Sequence, residues 1–437
     1  MFLKKQLIYV LFIFILCIGS IIPISSSIET SSISIPKSHI IEDVPYAAQD
    51  DGHCFFASLE MIYRFYGVET DQYELATLQG LSYNLVYQPT LKSKIQRPIK
   101  MPPYKFSFPS SLVSNQGNDD IKFVGNLMGF EIESYNTRNH DFTDVGRWNS
   151  YWTKLKQQIS KDSPLITCVD YYVWPIFLEL SSLPPLYSLI MRGAHSIVIV
   201  GYNENNRTVC VNDPYAGQCN ASEKGTYRWV PISVFRKAVR RSYWDGAFAN
   251  YDMYLFEKTS EPLSKDEIFK ICHERNIEKM KGNQSAYDHD FITPNFEKYG
   301  VDAWQQIKKD YKNHFLPFLP MYRLINKFTG MPFDDIILAY DFEVDRDIEI
   351  SVYLNETKDV LTNQTLKNIS IYERDLFYNK SIKIRELTNL AIDLKDAVEN
   401  NTIFKAYSES RPIIEDICQK IDEIISIELE IIAGPPE

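Results

Sequence analysis

Residues 44–67 read VPYAAQDDGHCFFASLEMIYRFYG, a polar loop that turns into an amphipathic helix at Cys54. From Phe55 the apolar side chains recur at helical spacing (Phe55, Leu59, Ile62, Tyr66), and Gly67 stands where a left-handed residue ends a helix. The pattern puts Cys54 in the first turn. Unpaired amide N–H groups and the positive end of the helix dipole stabilise a thiolate there, which draws the thiol pKa toward the reactive range. Five residues earlier, Gln49 offers an amide donor to a developing oxyanion. Free cysteines more often serve as small buried hydrophobes, so Cys54 needs partners to count as a nucleophile.

A thiolate nucleophile requires a base for its proton and a third group to orient that base, and the three are usually far apart in sequence. Residues 194–202, AHSIVIVGY, read as a buried strand, NENNR as a turn and TVCVND as a second strand. His195 opens the first strand and Asp213 ends the second, so a hairpin brings them side by side. A carboxylate in that position fixes the imidazole tautomer and stabilises imidazolium. Asn212 is the alternative orienter, since adjacent strand residues face opposite ways and one of the two serves.

At 437 residues, 45% hydrophobic and 14% aromatic, the chain is long enough for two or more cores. A net charge of −11, spread along the chain, leaves no basic surface for nucleic acid. The start, MFLKKQ followed by an apolar run over 7–24, has the layout of an export signal or an N-terminal membrane anchor (1–27), with a Ser-rich linker at 28–42. Either form places the chain outside the cell or at its surface, with membrane attachment in the anchored form. Eight N-x-S/T sequons (Asn206, Asn220, Asn283, Asn355, Asn363, Asn368, Asn379, Asn400) agree with export of a glycoprotein. Six cysteines remain outside the apolar run, and Cys210 with Cys219 and Cys272 with Cys418 are possible bridges.

Further along, residues 71–80 predict a short helix, 81–116 a long surface excursion, 119–128 a helix, and 148–159 a helix with an aromatic face. Residues 165–169 and 251–256 read as strands. Past Glu257 the pattern turns helical, with IEISVYL at 348–354 as the main strand signal. The carboxylates of 334–349 alternate with apolar residues and read as a solvated face, not a cation site.

The stretches VPYAAQ, CFFASLEMIYRFYG and AHSIVIVGYNENNRTVCVNDPYAG together resemble the peptidase C39-like group of papain-fold proteins, over roughly residues 40–257. The His53–Cys54 pair, the VDYYVWP run and the helical second part are more similar to the butirosin biosynthesis protein H variant of that superfamily. The resemblance implies an α+β chain: a papain-like domain of helices and antiparallel sheet at 43–258, then a mostly helical domain at 259–437. It implies Cys54 as nucleophile, His195 as general base and acid, Asp213 as orienter and Gln49 as oxyanion donor. Gln49 precedes Cys54 by five residues where the family usually has six. No cofactor or metal is implied. The activity expected is that of an exported cysteine hydrolase acting on a peptide or amide through an acyl-enzyme, with a thiol acyltransferase or an inactive binding module as the alternatives.

Overall fold

The computed structural model describes residues 35–50, 52–83, 85–87, 112–114, 118–137, 143–180, 194–241, 251–283, 298–317, 319–320, 323 and 333–436. The expected signal or anchor at 1–27, and most of the excursion at 81–116, lie outside these. After β1 (Ser38–Ile40), the helix expected at Cys54 is α1 (Cys54–Phe65), closed by Gly67 at φ +80°. Its Leu59, Met61, Ile62 and Tyr63 are fully buried. Burying such side chains is worth about 1.5–3 kcal/mol each, so the packed face fixes where the first turn sits. The next helix, α2 (Gln72–Leu78), is capped by Asp71, whose carboxylate accepts from the amides of Tyr73 and Glu74.

Strands β2 (Leu85–Tyr87) and β3 (Leu112–Ser114) pair with each other. They are followed by α3 (Asn118–Leu127), β4 (Phe130–Tyr135), α4 (Asp144–Ile159) and β5 (Leu165–Val169). A 3-10 turn (Tyr171–Val173) and α5 (Pro175–Leu180) come next, then β6 (His195–Asn203) and β7 (Thr208–Asn212). Short helices α6 (Pro214–Gln218) and α7 (Ser222–Gly225) lead to β8 (Arg228–Pro231), α8 (Ile232–Arg241) and β9 (Met253–Lys258). The main sheet runs β4-β9-β5-β6-β7-β8, with β1 on the far half of β6, and all its pairings are antiparallel. Strand β6 is central because it is apolar on both faces: His195 through Tyr202 are all buried. The hairpin read from the sequence is β6–β7, paired from Asn203↔Thr208 to Val198↔Asn212 with a register shift between Ile199 and Gly201.

The remainder is helical: α9 (Lys265–Met280), β10 (Lys298–Tyr299, on β2), α10 (Val301–Asp310), α11 (Phe333–Val360), α12 (Gln364–Glu399) and α13 (Ile403–Ala433). The chain is thus α+β, with sheet and helices first and a mostly helical C-terminal region. Ser264 and Glu267 form the expected capping box of α9. Residues 37–437 make up one compact unit.

Three sequence expectations fail here. IEISVYL lies inside α11, where Ile350, Tyr353 and Leu354 follow helical spacing into a core shared with Phe377 and Leu361. The acidic stretch is only partly a solvated face: Asp341 and Asp345 are exposed, whereas Glu343 and Asp347 are buried. The buried pair tolerates the core because Lys380, also buried, faces them from α12. The proposed bridges are absent, and Cys54, Cys168, Cys210, Cys219, Cys272 and Cys418 are all free thiols. No described helix is long and apolar enough to cross a membrane.

Candidate active site

Three elements converge on Cys54. The first turn of α1 carries Cys54, a half-buried residue, and Ser58 ties the turn by donating its hydroxyl to the Cys54 carbonyl at 2.8 Å. The start of β6 supplies His195. The residue after β7 is Asp213, which is both the end of the hairpin and the N-cap of α6. His195 Nε2 lies 2.7 Å from Asp213 Oδ1, which leaves Nδ1 available to the Cys54 thiol.

Asp213 is fully buried and every side of its carboxylate is engaged. Besides His195, Oδ1 accepts from the Tyr215 amide at 3.0 Å, and Oδ2 accepts from the Trp174 indole N–H at 2.6 Å. Trp174 reaches it for a reason rooted in register. Val169, at the end of β5, pairs with His195, so the 3-10 turn that follows β5 delivers the indole beside the hairpin end. Asp170 caps that turn by accepting from the Tyr172 amide.

The lead VPYAAQ locks the same corner. Tyr46 donates its hydroxyl to the Asp213 carbonyl at 2.8 Å and accepts from the Gly217 amide at 2.8 Å. Burial, chiefly, pushes the Tyr46 phenol up to about 12, so it stays a neutral donor. Gly217 is required by close approach: a Cβ there would stand 2.3 Å from Ala48 Cβ. The Gln49 amide donates to the Pro214 carbonyl at 3.1 Å, and its buried side chain donates Nε2–H to Gln218 Oε1 at 2.8 Å. One Gln49 N–H is therefore held by α6, while its Oε1 is buried without a hydrogen-bond partner. Asn212 points elsewhere: its Oδ1 accepts from the Tyr227 amide and its Nδ2 lies 3.5 Å from the Val44 carbonyl.

The electrostatics follow from this geometry. Burial alone would push the Cys54 thiol up. The hydrogen bond and charge of His195, with hydrogen bonds from the Ser196 amide and hydroxyl, outweigh it and hold the thiol below its ordinary value. Burial would lower the His195 pKa, and the Asp213 carboxylate, followed by Cys54, overrides burial and raises it well above the ordinary range. The arrangement favours a thiolate–imidazolium pair. Elsewhere burial prevails, pushing Cys210 and Cys272 up to about 12 against the Val211 amide at the first and the Arg275 and Lys279 charges at the second.

Sequence reasoning passed over Ser196, Trp174 and Glu349. Ser196 is adjacent to His195, and Trp174 lies in the quoted VDYYVWP run, so both were visible as residues but not as contacts. Glu349, on α11, is remote in sequence, and its Oε2 lies 3.0 Å from His53 Nε2, directly before the nucleophile. Phe342, also on α11, stands 3.8 Å from where a Cβ on Gly52 would be. Helix α11 thus braces the loop that aims Cys54. Glu349→Ala removes the carboxylate that stands 3.0 Å from the buried His53 ring and should lower stability by about 0.5–1 kcal/mol, read by urea unfolding. A midpoint equal to that of the parent chain would show that the brace is idle.

No group of described side chains is arranged to hold a metal ion. No curated protein matches the chain. Residues 41–245, the segment that brings Cys54, His195 and Asp213 together, match the model of the Peptidase_C39 like family.

Proposed function

We propose that the chain is a cysteine hydrolase of the peptidase or amidase kind, working through an acyl-enzyme on Cys54. The observation that carries this reading is the continuous line from the Cys54 thiol through the His195 ring to the Asp213 carboxylate, closed at 2.7 Å on its far side. In the reaction, the thiolate attacks the carbonyl carbon of the substrate and forms a C–S bond. The first-turn N–H groups of α1, which lack intrahelical partners, face the developing oxyanion, and the second Gln49 N–H can add to them. The imidazolium of His195 gives its proton to the leaving nitrogen as the C–N bond breaks. Water then attacks the thioester, His195 takes its proton, and the acid leaves with the thiolate restored. Asp213 holds the ring throughout without changing its own protonation. Export belongs to the same reading and rests on the lysine-led apolar N-terminus and the sequons.

The test is alkylation by iodoacetamide near pH 7. Cys54 should react faster in the folded chain than a free thiol does in denaturant, and ahead of the buried Cys168, Cys210 and Cys272. Cys54→Ala should remove the fast phase, and His195→Ala should slow it. A folded chain in which Cys54 reacts no faster than in denaturant would overturn the proposal. A hydrolase clears an acylated Cys54 with water alone; clearance only on addition of an amine would mark an acyltransferase.

A further inference from the structure

Residues 46–49 lie along α6 contact by contact, and only part of that seam serves Asp213. Tyr46 accepts from the Gly217 amide, Ala48 packs where a Cβ on Gly217 would stand, and the Gln49 main-chain N–H meets the Pro214 carbonyl at 3.1 Å. The last contact joins two side chains: Gln49 donates Nε2–H to Gln218 Oε1 at 2.8 Å. Helix α6 therefore holds two parts of the site. Its N-cap, Asp213, stands 2.7 Å from the His195 ring, and its final residue, Gln218, holds the amide that precedes Cys54 by five residues. The same helix packs against α1, whose first turn carries the thiol.

The Gln49 amide is held in an orientation it would not choose alone. Gln49 is 6% exposed, and its Oε1 is buried without a hydrogen-bond partner. A buried acceptor left unpaired costs about 1–3 kcal/mol, so an amide free to turn would rotate until its oxygen met a donor. Its main chain is tied to Pro214 and its Nε2 to Gln218, and these two contacts hold it. The direction matters because the two sides of an amide have opposite sign: an N–H stabilises a developing oxyanion, whereas a carbonyl oxygen turned toward it repels it. We infer that Gln218 is a positioning residue of the oxyanion site, fixing the Gln49 amide through this one hydrogen bond so that the remaining Nε2–H serves the oxyanion formed on attack by Cys54. This rests on Cys54 being the nucleophile of the proposed hydrolase and on Gln49 being one of its oxyanion donors. Gln218 acts through Gln49 and touches no substrate.

The experiment uses two reagents on the full chain that differ in whether an oxyanion forms. With p-nitrophenyl acetate, the Cys54 thiolate forms a C–S bond at the carbonyl carbon, the carbonyl oxygen takes up the negative charge, and the C–O bond then breaks as p-nitrophenolate leaves. With iodoacetamide, the C–S bond forms at a saturated carbon as iodide leaves, and no oxyanion arises. In both cases the rate counted is that of the phase which Cys54→Ala removes. Gln218→Leu takes away the acceptor at similar size and should slow acylation by about tenfold or more while leaving alkylation unchanged, and Gln49→Ala should do the same. The double variant should be no slower than Gln49→Ala, because Gln218 works through that amide. Equal slowing of both reagents by Gln218→Leu would show that α6 supports the thiolate and not the oxyanion, and would overturn the proposal. An acylation rate unchanged in Gln218→Leu or in Gln49→Ala, or losses that add in the double variant, overturns it as well and leaves the hydrolase standing. If the parent chain is acylated at Cys54 no faster than the denatured chain, the hydrolase reading itself falls.

Discussion

Asp213→Asn should move the alkylation profile of Cys54 to higher pH and cut turnover of any amide substrate by about two to four orders of magnitude. The sign follows from the two shifted groups. The carboxylate of Asp213 is what raises the His195 pKa against burial, so a neutral amide in its place lowers that pKa and discharges the ring at lower pH. Cys54 is held below its ordinary value by the hydrogen bond and charge of that ring, working against burial. Once the charge is gone, burial dominates and the thiol pKa rises. Each unit of rise removes about tenfold of thiolate at a pH below it. The fold loses one acceptor as well, because Asn offers a single oxygen where Asp213 accepts from the Tyr215 amide on Oδ1 and from the Trp174 indole on Oδ2, so the urea midpoint should fall along with the rate. Measuring the iodoacetamide rate from pH 5 to 10 checks this. A profile that overlays the parent chain would mean that Asp213 orients nothing.

How far this site can be read from sequence depends on the range of each interaction. Cys54, His195 and Asp213 stand out because each sits at an element boundary written by local pattern: the apolar stripe of α1, the unbroken run of β6, and the turn that folds β7 back on it. Boundaries of that kind follow from periodicity and turn chemistry alone. Trp174 and Glu349 act through contacts across 39 and 296 residues of chain respectively, and nothing local in VDYYVWP or in the acidic stretch of α11 announces them. The same limit explains IEISVYL. Three β-branched residues within seven favour a strand, but Ile350, Tyr353 and Leu354 are drawn to one helix face by a partner surface on α12 that no local pattern shows. The reading of residues 334–349 as solvated fails for a related reason. Carboxylates are rarely buried unless paired, and the pairing lysine is supplied by another helix.

That lysine carries the second large effect. Lys380→Met should lower the unfolding free energy by about 3–5 kcal/mol, the cost of leaving buried carboxylates without their countercharge. Lys380 Nζ lies 3.0 Å from Glu428 Oε1 and 3.4 Å from Asp347 Oδ1, and all three residues are at most 1% exposed. Glu428 keeps a second donor in the Trp304 indole at 2.9 Å, so Asp347 is the group most exposed to the loss. Burial, reinforced by Glu343 and Glu428 and opposed by Lys380, already raises the Asp347 carboxyl to about 8. A carboxyl whose folded pKa exceeds its unfolded value binds its proton more tightly when folded, so its contribution is fully present at low pH and fades as pH rises toward the folded pKa. Without Lys380 the folded pKa climbs further and the fade deepens. Lys380→Met should therefore be closer to the parent chain at pH 5.5 than at pH 8.5 in urea midpoints. The double variant Lys380→Met, Asp347→Leu should regain part of the loss, because a buried ion pair replaced on both sides by apolar groups of similar volume is often neutral or better. A deficit that is the same at both pH values would show that packing, not charge, is what Lys380 supplies. Because α11 also carries Phe342 and Glu349 to the loop at Gly52 and His53, the same variant should slow Cys54 alkylation, coupling a charge pair in the helical core to the thiol it helps to aim.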